Sequence, residues 1–307
     1  MTNTAKERTK EITEFANKYG VVKAAEFFNM TIGTVERYQR KYLNEQCDEA
    51  KRTKRVLVFD IETAPMEAYV WSMWKNDISQ EQLIQDWSIL CWAAKWLDSD
   101  EIITSASWRE GDDVRDDKAC SLALASLLDE ADIVVGHNAD KFDIKRVNTR
   151  LLKHGIDEPS PFKSVDTLKI AKHRFAISSN RLDFIGDFLG VGRKVKHEGF
   201  SMWKSVLEGD SDAQERMLHY NVGDITLLEQ VYLAIRPWDK RNPNINLEFS
   251  EPRCPCCGSE RLKEIGDAFT NVSTFTAVKC KDCGKYSRYG SNKKTKEEMQ
   301  RTLRNIV

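Results

Sequence analysis

Glycine and proline are scarce, 15 and 7 in 307 residues, which excludes collagen-like and low-complexity chains. No stretch approaches the roughly 18 consecutive apolar residues of a membrane-spanning helix. The opening MTNTAKERTKEITE lacks the apolar centre of a signal peptide, so the expected location is cytoplasmic. Excess charge of one sign is missing too, since 47 basic and 48 acidic side chains leave a formal net charge of −1. What remains, 41% apolar and 31% charged residues, is the composition of a folded chain long enough for two domains.

The near-neutral total conceals segregation. Residues 1–55 carry a net +4, residues 56–239 a net −11 and residues 240–307 a net +6. Basic ends suit a polyanionic partner, whereas an acidic middle repels one unless cations sit on its carboxylates. The eight cysteines are equally uneven. Cys47, Cys91 and Cys120 are scattered, while Cys254, Cys256, Cys257, Cys280 and Cys283 crowd together. In a reducing compartment such a cluster reads as a metal site before it reads as disulfides.

The pattern of residues 1–45 predicts a small three-helix domain. Ile12, Phe15, Ala16 and Tyr19 recur at helical spacing and stop at Gly20; VVKAAEFF follows, then TIGTVERYQRKYL after a polar turn at Asn29. Residues 46–55 read as a linker. From Val56 strands alternate with helices: RVLVFDI, then SILCWAAKWL paired with EIITSASW, the helix SLALASLLDEA, the strand DIVVGHN, the helix DIKRVNTRLLKHG ended by Gly155, and SVDTLKIA as a fifth strand. Two helical stretches, RLDFIGDFLG with Asn180 as its N-cap and AQERMLHYNVGDITLLEQVYLAI, carry the chain to Trp238. The expected fold class is therefore α/β, a mixed five-stranded sheet with flanking helices over residues 56–239. A linker at 240–250, a small β domain at 251–290 and a basic tail at 291–307 complete the expected layout.

Acidic side chains punctuate the ends of these elements. In VFDIET, Asp60 and Glu62 leave the same face of a strand. Two carboxylates side by side repel unless a cation neutralises them, and oxygen ligands of this kind select Mg²⁺ or Mn²⁺; the plainer reading is a solvated strand end. Asp143 in GHNADKFDIKR opens a helix, as a ligand or as a cap. In HYNVGD, Tyr220 and Asp224 are four apart, about 40° on a helix, so they address one point in space. His219 lies about 140° from Asp224 on the same helix. His137 reads as a structural hydrogen-bonding residue, Phe142 as core, and Thr63 as a turn residue or a contact for a terminal nucleotide.

The series DIET, HNADKFD, YNVGD, in that order and in those strand and helix settings, resembles the three exonuclease motifs of the ribonuclease H-like DEDD 3′-5′ exonuclease superfamily, which includes the proofreading domains of DNA polymerases. From about residue 55 to 290 the chain also resembles phage-encoded exonucleases related to those domains. The resemblance implies a ribonuclease H-like core in which Asp60, Glu62, Asp143 and Asp224 bind two divalent ions, Mg²⁺ or Mn²⁺. Asp60 would bridge both ions, Glu62 and Asp224 would complete one site, and Asp143 would hold the other largely through water. Paired ions of this kind generate hydroxide and stabilise the leaving 3′ oxygen in an in-line displacement at phosphorus. Tyr220 would orient the attacking water if the last motif is of the tyrosine type, which the spacing favours; His219 would be the general base if it is of the histidine type.

Two CxxC pairs, Cys254 with Cys257 and Cys280 with Cys283, have the spacing of a structural Zn²⁺ site, and the alternating stretch between them resembles a zinc ribbon. Cys256 is left over. Around this site Lys279, Lys281, Lys285, Tyr286, Arg288 and Tyr289 intermix cations and aromatics, a pattern suited to phosphate contact and base stacking. At the other end VVKAAEFFNMTIGTVERYQRKY resembles a helix-turn-helix. Ala24, Ala25 and Phe28 would pack on Ile32 and Val35, leaving Thr31, Thr34, Arg37, Tyr38, Arg40 and Lys41 toward nucleic acid.

The combined expectation is a phage-encoded, metal-dependent 3′-5′ exonuclease acting on nucleic acid, DNA favoured, and flanked by two nucleic-acid-binding modules. Two alternatives stand beside it: an endonuclease of the structure-specific or ribonuclease H type, and a DNA-binding regulator or scaffold whose core is only structural.

Overall fold

The computed structural model describes residues 3–47, 53–109, 113–196 and 198–303, with the backbone alone for 3–7 and 41–47. Strand β1 (Val56–Thr63) sets out its plan. Leu57, Phe59 and Ile61 enter one core and Val56 and Val58 another, as a strand covered on both faces requires. Each such fully buried side chain stabilises the fold by about 1.5–3 kcal/mol. Asp60 and Glu62 continue the Val56–Val58 face, so the alternation that makes the strand apolar also decides where its carboxylates point.

A hairpin of β2 (Glu67–Ala68) and β3 (Leu83–Gln85) separates β1 from β4 (Ile89–Trp96), which is followed by β5 (Ile102–Ala106), β6 (Ile133–Gly136) and β7 (Lys163–Asp166). The main sheet has the order β5-β4-β1-β6-β7. β4 runs antiparallel to β1 and to β5, while β6 and β7 run parallel. One face is covered by α4 (Lys118–Glu130) and α5 (Asp143–His154). The other carries α6 (Thr167–Arg174), α7 (Leu182–Leu189) and α9 (Ser211–Ile235). Between α7 and α9, α8 (Phe200–Leu207) packs on the first half of α9 in a satellite core. The expected α/β class holds.

Two local expectations need correction. SVDTLKIA is a strand only to Asp166; Thr167 onward is helix, because the Asp166 side chain accepts from the N–H groups of Leu168 and Lys169 and so caps α6. Arg181, not Asn180, stands at the N-cap of α7 with no side-chain cap bond, and the Asn180 carbonyl pairs instead with His137 Nε2 at 3.0 Å.

Beyond α9, β8 (Leu262–Phe269), β9 (Thr274–Cys280) and β10 (Tyr286–Asn292) form a second antiparallel sheet of order β10-β9-β8. The short α10 (Lys296–Arg301) lies within the stretch expected as a tail.

A separate compact unit consists of residues 1–53 and 247–250. It contains α1 (Asn3–Tyr19), α2 (Val21–Phe28) and α3 (Ile32–Cys47). Its core is Ile12, Ala16, Ala24, Ala25 and Val35, with Phe28 and Tyr38 against it. Ile32 is exposed rather than packed on α2, and Tyr38 packs against the core rather than facing outward. Residues 48–52 of the expected linker and 304–307 of the expected tail lie outside the described residues.

Candidate active site and metal centres

At the end of β1, the Asp60 and Glu62 carboxylates meet Asp224 of α9, with one oxygen of each within 4.8 Å of the others. Asp60 of β1 and Asn221 of α9 are 161 residues apart in sequence, yet α9 crosses the Val56–Val58 face and lays its inward row, Tyr220, Asp224, Leu228 and Val231, along it. Asp210 starts that helix by accepting from Asp212 and Ala213 N–H, so Tyr220 and Asp224 sit on one continuous helix. Asn221 Nδ2 donates to Asp60 Oδ2 at 2.8 Å and fixes that carboxylate.

Asp143 comes from α5, the helix layer packed against Leu57, Phe59 and Ile61. It is 3% exposed at the head of α5, and its Oδ1 accepts the Ile61 N–H at 3.3 Å. It stands outside the group of three, close enough to act on its charges. Phe142 holds the N-cap position of α5, and Asp143 is the first helical residue.

Electrostatics record the crowding. Burial, then Asp143, Glu62 and Asp224, push Asp60 well above the usual carboxylate range. Burial and Asp224 raise Glu62 to about 8. Burial raises Asp143 to about 7, against the N–H bonds that favour its anion.

A cation already answers these acids. Lys194 Nζ donates to Asp224 Oδ2 at 2.5 Å and to Tyr220 Oη at 3.0 Å. Burial alone would lower its value, but Asp224 and Asp60 raise it, so it stays protonated. Its backbone N–H is anchored on Asp183 Oδ1 at 2.8 Å. Two glycines admit this segment. A Cβ on Gly223 would lie 2.8 Å from Val195 Cγ2, and one on Gly186 would lie 2.7 Å from the Gly192 carbonyl oxygen. Sequence reading missed Lys194 and Asn221; the only signal for Asn221 was its place inside YNVGD, and Lys194 had none.

Tyr220 is buried and raised by burial and by Asp224, so it keeps its phenolic proton. His219 lines a cleft with Glu215 and Arg216, which Tyr220 also borders, and it lies outside the group of Asp60, Glu62 and Asp224. Next to the acids opens a cavity of about 660 Å³ lined by Asp60, His137, Asn138, Arg181 and Lys194 among others. His137 is tied to Thr167 and Asn180 and lowered by burial, a structural role.

A hard, oxygen-only donor set whose members repel one another when ionised fits divalent Mg²⁺ or Mn²⁺. The second centre is softer. Cys254, Cys257, Cys280 and Cys283 bring their sulfurs within 4.8 Å of one another, with Cys254–Cys283 at 3.6 Å and Cys257–Cys280 at 3.7 Å. The edge of a tetrahedron with Zn–S bonds of about 2.3 Å is about 3.8 Å, so these thiols fit Zn²⁺. Cys256 is buried outside that group.

The expected nucleic-acid contacts are scattered. Lys281 and Arg288 are exposed, Arg288 with its guanidinium 3.6 Å from the Phe275 ring centre. Lys285 is half-buried and its ammonium donates to the Asp239 carbonyl, so it tethers the cysteine-bearing sheet to the chain after α9. In the N-terminal unit Arg37 and Arg40 are exposed, and the Thr34 hydroxyl meets that of Thr31 at 2.8 Å. The Lys41 side chain lies outside the described residues.

Residues 57–236 match the family profile RNase_H_2, described as RNase_H superfamily. No curated protein matches the chain. Among solved structures that resemble it is the family B DNA polymerase from the hyperthermophilic archaeon Pyrobaculum calidifontis, at 18% identity and a TM-score of 0.44 over 60% of this chain. The match spans 25% of the polymerase and is too slight to carry an argument about activity. Among the described residues no helix is long and apolar enough to cross a membrane.

Proposed function

We propose, from the premise that this chain belongs to the RNase_H superfamily, that it is a divalent-metal-dependent 3′-5′ exonuclease acting on nucleic acid, DNA favoured. The observation that carries the reading is the meeting of Asp60, Glu62 and Asp224 beside a buried tyrosine. Asp60, Glu62 and Asp224 would hold the ions, and Asp143 would support them from the next element. Bound there, divalent ions supply hydroxide at neutral pH and screen the charge that builds on phosphate.

The chain's own side chains have distinct tasks. Asn221 keeps Asp60 in place through its 2.8 Å bond. Tyr220, protonated, is a hydrogen-bond donor rather than a base, suited to orienting water. Lys194 offsets the carboxylate repulsion from 2.5 Å away. The cavity beside the acids would receive the terminal nucleotide. The four-cysteine site would be a structural zinc ribbon, and the helical unit a helix-turn-helix. With their basic charge these two modules would hold the polyanion that the acidic core repels. The resemblance in the motifs extends the reading to a phage-encoded enzyme of the host cytoplasm.

The test is a time course with Mg²⁺ or Mn²⁺ on 5′-labelled single- and double-stranded DNA and RNA. A ladder shortening stepwise from the 3′ end is expected, lost with Asp60→Ala. Internal fragments would replace the reading with an endonuclease, and an inert wild type would leave a binding protein.

A further inference from the structure

Arg146 is a half-buried cation that the catalytic scheme above does not use. It lies three residues beyond Asp143 in α5, about 4.5 Å along the axis, and its Nη1 donates to Thr63 Oγ1, the residue after Glu62, at 3.3 Å. Its guanidinium is stacked against two rings, 4.5 Å from the centre of Trp87 and 4.4 Å from that of Phe142. No carboxylate lies within ion-pair distance of it among the described residues.

The slot is rigidly supported. Asp117, 0% exposed, binds Arg150 at 2.6 Å, and Arg150 donates to the Trp87 carbonyl at 3.1 Å. A buried ion pair thus anchors the backbone of the residue whose ring holds Arg146. Asp117 also accepts from Ile89 N–H at 2.7 Å, tying the support to the start of β4. An arginine fixed in plane by aromatic faces, close enough to Asp143 and Asp86 to feel their charge yet in ion-pair contact with neither, matches the fork geometry of phosphate recognition. Its place is chemically pointed, because the surrounding nuclease region is acidic and Lys194 is already committed to Asp224.

We infer that Arg146, clamped between Trp87 and Phe142, binds the backbone phosphate next to the scissile one and sets the register of the substrate strand over the acids. This rests on the nuclease reading of the same site. Its bond to Thr63, the residue after Glu62, places the guanidinium beside the acids. The arginine reads charge and shape, so it gives no preference among bases.

The test is fluorescence anisotropy of a labelled twelve-residue oligothymidylate in EDTA, unmodified or with one neutral methylphosphonate at each of the four 3′-terminal linkages. Wild type should lose about tenfold in affinity at one linkage beside the scissile bond. Arg146→Met should bind the unmodified strand about tenfold more weakly, lose no more at that linkage, and show a salt slope smaller by about one. Arg146→Lys, which keeps the charge without the fork, should recover the slope. Either an Arg146→Met profile identical to that of wild type, or an equal loss at every linkage with the slope unchanged, would overturn the inference. A wild type that degrades oligonucleotides yet shows an unchanged Arg146→Met profile sinks only this inference; a wild type that degrades none sinks the nuclease reading.

Discussion

Glu62→Gln should make the metal-free protein more stable at alkaline pH, although it removes a charged group from the site. In the folded state Glu62 titrates near 8 rather than at the ordinary 4.5, because of burial and then Asp224. Its proton is therefore held more tightly folded than unfolded. The resulting stabilisation is complete below about pH 4.5 and is lost as the pH rises toward 8. Above that, ionised Glu62 costs the fold at most about 5 kcal/mol at 1.36 kcal/mol per pH unit. Partial solvent access reduces this to about 2–3 kcal/mol. For a nuclease region of about 190 residues that is a shift in Tm of about 4–12 °C. The assay is thermal unfolding followed by circular dichroism, in EDTA and with Mn²⁺, from pH 5 to 9. Wild type in EDTA should fall across the range and Glu62→Gln should fall less, the difference between them cancelling other titrating groups. Mn²⁺ should raise wild type and barely move the variant. Equal slopes in EDTA, or equal stabilisation of both by Mn²⁺, would refute the argument that these acids crowd around a cation site.

Three further outcomes follow from the same geometry. Lys194→Met removes the ammonium 2.5 Å from Asp224, so metal-free stability at pH 8 should drop while Mn²⁺, measured by calorimetry, binds about tenfold tighter or better. Tyr220→Phe should slow hydrolysis by about 10²-fold, while His219→Ala, which leaves the Tyr220–Lys194 bond in place, keeps it; single-turnover rates at saturating metal decide this, and the reverse pattern would reassign the last motif. Cys257→Ser, or a strong chelator, should release one zinc per chain, read with a colorimetric zinc indicator, and melt the β8–β10 sheet, leaving Asp60, Glu62 and Asp224 able to bind Mn²⁺.

The sequence by itself determined the local facts. A strand that alternates must send Asp60 and Glu62 to one face, a helix must bring Tyr220 and Asp224 to one point, and two CxxC pairs must each turn their thiols together, because these are consequences of backbone period and spacing. It also carried the order of elements that becomes the β5-β4-β1-β6-β7 sheet. What only the tertiary structure decided are the meetings across many residues. Lys194 reaches Asp224 because glycines in two helices let a loop approach α9, Asn221 grips a carboxylate 161 residues away, and Arg146 is held by a tryptophan from the connection between β3 and β4. Asp143 behaved likewise: its position at a helix head was legible, but its contact with the Ile61 N–H of β1, 82 residues back in the chain, was not. Such contacts have no period to betray them, since a neighbour in space that is remote in sequence leaves no mark on local spacing.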